Sequence, residues 1–201
     1  MSLLEPSPFA SWADLEREAL TCTKCPLAAT RTQVVFGVGD PHADLLFVGE
    51  GPGEQEDLTG EPFVGRAGRL LTSLIEGIGL TRAEVYIANV VKCRPPGNRN
   101  PLPLEIESCW PYLDAQISFI EPRVVVTLGN FATKLLLETK DGITKLRGQQ
   151  FPYRTGSVPE RPEGSVLVPT LHPSAVLRNG GTALAQARAD FVVAKRLLPR
   201  A

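Results

Sequence analysis

The chain has 201 residues, 43% of them hydrophobic, which is the size of one domain with enough apolar content for a single buried core. Its 21 basic and 22 acidic side chains nearly cancel, so no global field draws it to a polyanion or an anionic membrane, and any such contact has to be local. No run approaches the roughly 18 apolar residues of a membrane span, and the N-terminus lacks a basic segment followed by an apolar stretch, so a cytoplasmic protein without membrane association is expected.

Residues 1–10 carry two prolines and read as a loose lead-in to one domain spanning 1–201. Ser11 has the chemistry of an N-cap for a short helix through Trp12, Leu15 and Ala19 that ends near Thr21. Short aliphatic and β-branched runs predict buried strands at 45–48, 85–90, 124–128 and 166–168. Helical periodicity predicts helices at 67–78, 104–120 and 131–137, and a last one at 182–198. Strands alternating with helices point to an α/β fold with a parallel sheet covered on both faces, and such sheets bind ligands at the carboxyl ends of their strands.

The segments that follow those strands are GEGPGEQED (49–57), 90–99, GNFATK (129–134) and LHPSAVLRN (171–179). Three of the four are crowded with glycine, proline and polar residues, as suits a site made of loops on a rigid frame. The first bends sharply at its glycines. It lacks the phosphate-cradle pattern G-x4-G-K-[ST], and its carboxylates Glu54, Glu56 and Asp57 would repel phosphate, so a water-orienting acid fits better, with Glu50 at the strand end the best placed. On its own the segment reads more readily as an ordinary strand-to-loop turn with a solvated acidic run.

The four cysteines, Cys22, Cys25, Cys93 and Cys109, form a C-x2-C pair and a remote C-x15-C pair. In a reducing compartment this suits metal ligation better than disulfides. Spacing alone leaves a structural zinc and an iron-sulfur cluster both open, beside the plainer reading of unrelated buried thiols.

Taken together, GEGPGEQED, GEPFVGRAG (60–68), ANVVKCRPPGNR (88–99), PTLHPSAVLRN (169–179) and the four cysteines resemble the family 4 uracil-DNA glycosylases, in the family's order and from about Cys22 to Asn179. The resemblance implies a three-layer α/β/α sandwich around a four-stranded parallel sheet, and a [4Fe-4S] cluster on Cys22, Cys25, Cys93 and Cys109. It further implies that Phe63 stacks on a flipped uracil, Asn89 bonds the edge of the base, His172 contacts its O2, Glu50 positions water and the Gly51 backbone lines the pocket. The expected partner is uracil-containing DNA, the expected product free uracil, and the expected state a monomer.

Each role has a physical rationale. A base inside a duplex must be everted to be reached, and an aromatic face such as Phe63 offers stacking of about 1–3 kcal/mol per base. A fixed amide such as Asn89 can favour uracil over cytosine, whose edge presents the opposite donor and acceptor. Breaking the N-glycosidic bond builds positive charge on the sugar and negative charge on the base, which Glu50 and His172 answer respectively. Phosphate contacts are expected from Lys92, Arg94, Arg99 and Arg178, with Leu177 among the residues able to wedge into the gap left by the base.

The chain departs from the family's pattern in two places. The stretch 148–168 is long and proline-rich where a compact hairpin is usual, predicting an extended surface loop, and Ala175 stands where an aromatic is common. Two other classes compete. One is a binding module that recognises uracil in DNA without cleaving it, although recognition alone needs neither Glu50 nor His172. The other is a redox protein, disfavoured because no G-x-G-x-x-G fingerprint follows the first strand.

Overall fold

The computed structural model describes residues 8–153 and 165–199. Its frame is a six-stranded mixed sheet in the order β1-β3-β2-β4-β6-β5. The strands are β1 (Val38–Gly39), β2 (Leu45–Gly49), β3 (Tyr86–Asn89), β4 (Val124–Leu128), β5 (Phe151–Tyr153) and β6 (Ser165–Thr170). The four expected strands are the central four and are mutually parallel. The expected count of four is corrected by β1 and β5, which pair antiparallel with β3 and β6 at the two edges. Each edge strand has two or three residues and includes a glycine or proline, so neither leaves an alternating pattern in the sequence, and Pro152 is tolerated only because an edge strand can lack one donor.

The strand β5 also corrects the loop expected over 148–168. That stretch begins and ends in the antiparallel pair β5 and β6, and residues 154–164 lie outside the described residues, as do residues 1–7 of the expected lead-in.

Helices α1 (Trp12–Leu20), α3 (Arg66–Glu76), α4 (Pro103–Ile120), α5 (Asn130–Leu136) and α8 (Gly181–Arg196) match the helices expected from the Ser11 cap and from periodicity. The Ser11 hydroxyl accepts the Asp14 N–H at 3.2 Å, as an N-cap does. Three shorter helices lay beneath that reading: α2 (Glu54–Thr59), α6 (Ile143–Leu146) and α7 (Pro173–Asn179). The acidic run 54–57 opens α2 because Glu56 reaches back to the Gly53 N–H at 3.1 Å, and its carboxylates suit the positive end of a helix.

Alternate strand residues enter two separate cores. Leu46, Val48, Ala88, Val125 and Leu167 pack with Leu15, Tyr112, Leu113 and Ala132 of α1, α4 and α5. Leu45, Phe47, Ile87, Val126 and Val168 pack with Leu71, Leu74, Val176 and Phe191 of α3, α7 and α8. Burial on both faces is what makes the central strands read as continuous apolar runs. It also makes the sheet rigid enough to hold loops at its carboxyl edge. No helix among the described residues is long and apolar enough to cross a membrane.

Candidate active site at the carboxyl edge of the sheet

Because β2, β3, β4 and β6 are parallel, their carboxyl ends lie on one edge, with Gly49 in register with Asn89 and Leu128 with Thr170. Gly49 forms a floor there. A Cβ on it would stand 2.3 Å from Asn89 Oδ1 and 2.6 Å from Phe63 Cζ, so the amide and the ring both lie directly over this residue. The Phe63 ring is 5.9 Å, centroid to centroid, from the His172 imidazole. His172 in turn backs onto Gly129, whose φ of +92° suits glycine and whose Cβ would lie 2.7 Å from that of His172. The structure therefore brings Phe63, Asn89 and His172 together.

Asn89 Oδ1 is buried and accepts no hydrogen bond among the described residues. Buried polar atoms are nearly all paired in folded proteins, so an orphan acceptor beside an aromatic ring marks a place for an external donor. His172 caps α7, and its Nδ1 accepts the Ser174 N–H at 3.1 Å while lying 2.7 Å from Ser174 Oγ. A backbone N–H can only donate, so Nδ1 is bare and the neutral ring carries its proton on Nε2. Burial, helped by the Arg178 charge, pulls the His172 pKa down to about 4, so the ring is neutral at physiological pH.

Beside this cluster runs a cleft of about 730 Å³ whose lining includes Glu50, Gly129, Phe131, Lys134, His172 and Arg178. Burial holds the Glu50 carboxyl above its usual pKa range, and while the Glu50 backbone carbonyl accepts the Val91 N–H at 3.1 Å, its side chain makes no hydrogen bond or ion pair among the described residues. The neighbouring acids are committed elsewhere. Glu56 accepts the N–H groups of Gly53, Val64 and Gly65 at 3.0–3.1 Å. The buried Asp57 accepts the Thr32 N–H at 2.9 Å. Gly51 packs on Val91, whose Cγ2 would be 2.7 Å from a Cβ there.

A clamp that sequence reasoning missed holds Phe63 in place. Phe63 has φ +55°, a left-handed conformation costly for a residue with a side chain. Behind it Arg82 donates to the carbonyls of Pro62 at 2.8 Å and Phe63 at 3.3 Å, while Glu56 grips the N–H groups just after it. Only the positive φ, invisible in the sequence, marks the turn.

The expected phosphate contacts divide. Lys92 is corrected: it is 2% exposed, with Nζ donating to the Asn89 carbonyl at 2.9 Å and to Gln116 Oε1, so it faces inward from the end of β3 and not toward a ligand surface. Arg99 forms a two-pronged pair with buried Glu105 at 2.6 and 2.8 Å. Arg94 bonds Asn98 at 2.8 Å and lies 3.9 Å from Glu54. Leu177 is 44% exposed on α7, and Arg178 lines the cleft.

Cys22, Cys25, Cys93 and Cys109 are all free thiols and line one shared cavity together with Arg31 and Lys92. No carboxylate or imidazole belongs to that lining. Among the described residues, no three His, Cys, Asp or Glu side chains are grouped to hold a single metal ion. N–H groups point at the sulfurs: the Lys92 N–H to Cys109 at 3.2 Å, the Lys24 N–H to Cys22 at 3.5 Å and the Arg31 guanidinium to Cys93 at 3.5 Å. Burial pushes Cys109 up to about 12 and raises Cys93, with the nearby Lys92 and Arg31 opposing those shifts. Donors and cations around four sulfurs form a cradle that fits an anionic metal-thiolate centre.

Together these features define an α/β protein with an aromatic ring, an unpaired amide oxygen and a neutral imidazole gathered at the carboxyl edge of its sheet, beside a cleft lined by Glu50 and His172. The model of the uracil DNA glycosylase superfamily matches residues 36–194, and the chain belongs to that superfamily. Its relatives include the type-4 uracil-DNA glycosylase of Thermotoga maritima, 50% identical over 79% of this chain and 79% of that protein. The type-4 enzyme of Sulfurisphaera tokodaii is 46% identical over 82% of this chain and 75% of its own length. That of Archaeoglobus fulgidus is 45% identical over 82% of each.

Proposed function

We infer that this chain is a uracil-DNA glycosylase, hydrolysing the N-glycosidic bond of an everted deoxyuridine to leave an abasic site and free uracil in DNA repair. The observation that carries the reading is the orphan Asn89 Oδ1, buried over Gly49 and beside Phe63. Uracil offers N3–H to that oxygen and O4 to the same amide's nitrogen, whereas cytosine offers a bare N3 and an amino donor and so mismatches both atoms. Phe63 supplies the stacking face, and the His172 Nε2–H donates to O2.

In the reaction the N1–C1′ bond breaks with its electron pair passing to uracil. The charge developing on O2 meets a fixed, neutral donor in a desolvated site, where such a bond counts for more than in water. Glu50 faces the cationic sugar and orients a water whose oxygen bonds to C1′, taking its proton. Burial raises the basicity of this carboxylate, whereas both oxygens of Glu56 and Oδ1 of the buried Asp57 already accept backbone N–H groups. A binding module would not need an unpaired carboxylate in the cleft.

Cys22, Cys25, Cys93 and Cys109 would hold a [4Fe-4S] cluster. A shared cavity suits it better than a zinc, whose four ligands lie about 2.3 Å from one point. Its contribution would be iron–thiolate bonds tying the N-terminal segment to the stretch after β3 and to α4. Iron and acid-labile sulfide near four each per chain, both lost in Cys109→Ser, are the expected measurements.

Incubation with an oligonucleotide holding one uracil, followed by alkaline cleavage of abasic sites, tests the activity. Glu50→Gln should bind the same DNA while losing excision by about two orders of magnitude or more. An intact strand with wild-type protein would reject the assignment, and full activity in the variant would reject the role of Glu50.

A further inference from the structure

Asn89, to which the glycosylase reading gives the edge of the base, is followed by a stretch whose backbone is fastened at each step. The Val90 and Val91 N–H groups donate to the Gly49 and Glu50 carbonyls at 3.0 and 3.1 Å. The Lys92 N–H points at Cys109 Sγ at 3.2 Å, and the Lys92 carbonyl accepts the Val35 N–H at 2.8 Å. The Lys92 side chain is 2% exposed, and its Nζ turns back to the Asn89 carbonyl at 2.9 Å and across to Gln116 Oε1 on α4. A buried amine costs free energy unless its donors are met, so these two oxygens define what the side chain does. Gln116 is fixed in turn: its Nε2 donates to the Phe36 carbonyl at 2.9 Å and to the Tyr86 hydroxyl at 3.3 Å, which leaves Oε1 as the atom offered to Lys92.

We propose that Lys92 is a positioning residue for base recognition: it holds Asn89 by its carbonyl and is itself held by Cys109 and Gln116, so that one residue joins the cysteine cradle to the amide over Gly49. The inference rests on the glycosylase reading for the nature of the ligand. Asn89 Oδ1 has no partner of its own among the described residues, so nothing at the tip of the side chain sets its direction before a base arrives. A hydrogen-bonding group that has to meet its ligand in a fixed geometry must then be held from behind, through its backbone. Lys92 Nζ supplies that hold at the carbonyl next to the Cα that carries the amide. Without it the backbone at Asn89 loosens and the amide loosens with it, although all four thiols remain in place.

The test compares the affinity of the full, iron-loaded chain for two labelled duplexes by fluorescence anisotropy. One carries deoxyuridine fluorinated at the sugar C2′, where fluorine disfavours the cationic sugar and the bond survives; the other carries a tetrahydrofuran abasic-site analogue with no base to read. The preference for the first over the second reports the grip on uracil. In Lys92→Met that preference should fall about tenfold, the low end of what losing an outer-shell partner costs, with iron per chain and affinity for the abasic duplex as in the wild type. Gln116→Met removes one acceptor of Nζ and should lower the preference about threefold, and the double variant should be no worse than Lys92→Met alone, because the two residues act through one contact. Ile120→Ala, a buried truncation at the far end of the same helix, should lower Tm and keep the preference. An undiminished preference in iron-loaded Lys92→Met overturns the inference, as does an equal fall in Ile120→Ala, which would assign the loss to general loosening. If Lys92→Met fails to fold or to load iron, Gln116→Met decides alone, and an undiminished preference there overturns it. Excision by the wild type is scored separately on the uracil oligonucleotide: excision with an undiminished preference in Lys92→Met rejects only the positioning role, and no excision with a diminished preference rejects only the glycosylase reading.

Discussion

Substituting Gly49 by alanine tests the geometry of the base pocket more directly than removing any one of its side chains. The added Cβ would lie 2.3 Å from Asn89 Oδ1 and 2.6 and 2.8 Å from two carbons of the Phe63 ring. Real Cβ contacts stay at 3.0 Å or beyond, so the amide has to retreat by about 0.7 Å and the ring by less. Gly49 lies at the end of a strand and lacks a positive φ, so alanine adds no backbone strain. Overpacking of this kind costs about 1–3 kcal/mol of stability, roughly 2–4 °C in Tm per kcal/mol at this chain length. A misplacement of about 1 Å in a reacting geometry costs on the order of 10²-fold, and a shift of 0.7 Å is most of that. Single-turnover excision from a uracil oligonucleotide should therefore slow by about 30- to 100-fold, or about 2–3 kcal/mol at 1.36 kcal/mol per tenfold. Excision within about threefold of wild type, in a folded variant, would refute the claim that Phe63 and Asn89 grip the base above Gly49.

Further outcomes follow from other parts of the site. Arg82→Met removes both carbonyl contacts that steady the left-handed Phe63, so kcat/KM should drop about tenfold with a stability loss of about 1–2 kcal/mol; an unaltered kcat/KM would deny the clamp. The His172 pKa is depressed from 6.5 to about 4, so below about pH 6.5 the unfolded chain binds the extra proton first, and stability declines as pH falls through that window. His172→Gln should lack this component, which amounts to at most about 1.4 kcal/mol per pH unit, as denaturant melts at pH 7 and 4.5 would record. Arg147 pairs with Asp190, which is 2% exposed and also accepts the Thr170 hydroxyl at 2.7 Å just before the loop of His172. Arg147→Ala should cost about 2–3 kcal/mol, below the 3–5 kcal/mol of a fully buried pair because Arg147 is partly exposed, and a Tm within 2 °C of wild type would contradict it.

The central strands were legible because burial on both faces leaves unbroken runs such as Leu45–Gly49 and Val124–Leu128. Helices α3 and α4 were legible from their apolar spacing, and α1 from its cap. The edge strands β1 and β5 were not, because two or three residues carry no period and their pairing depends on the neighbours that β3 and β6 provide. The turn α7 was hidden because proline right after His172 reads as a break, although the first turn is the one place in a helix that accepts it.

The motifs alone named the kinds of group in the site: an acid after the first strand, an amide after the second, an imidazole after the last. They could not say what each group faces. Lys92 and Arg178 look alike in sequence, yet one is enclosed by Asn89 and Gln116, 24 residues away, while the other opens onto the cleft. Glu50 was preferred over Glu56 and Asp57 only for its place at the strand end, and the sequence could not show that backbone N–H groups bond the other two. Residue type is a local property of the chain, whereas burial, pairing and protonation arise from atoms that distant segments bring into contact, and only the folded arrangement supplies those.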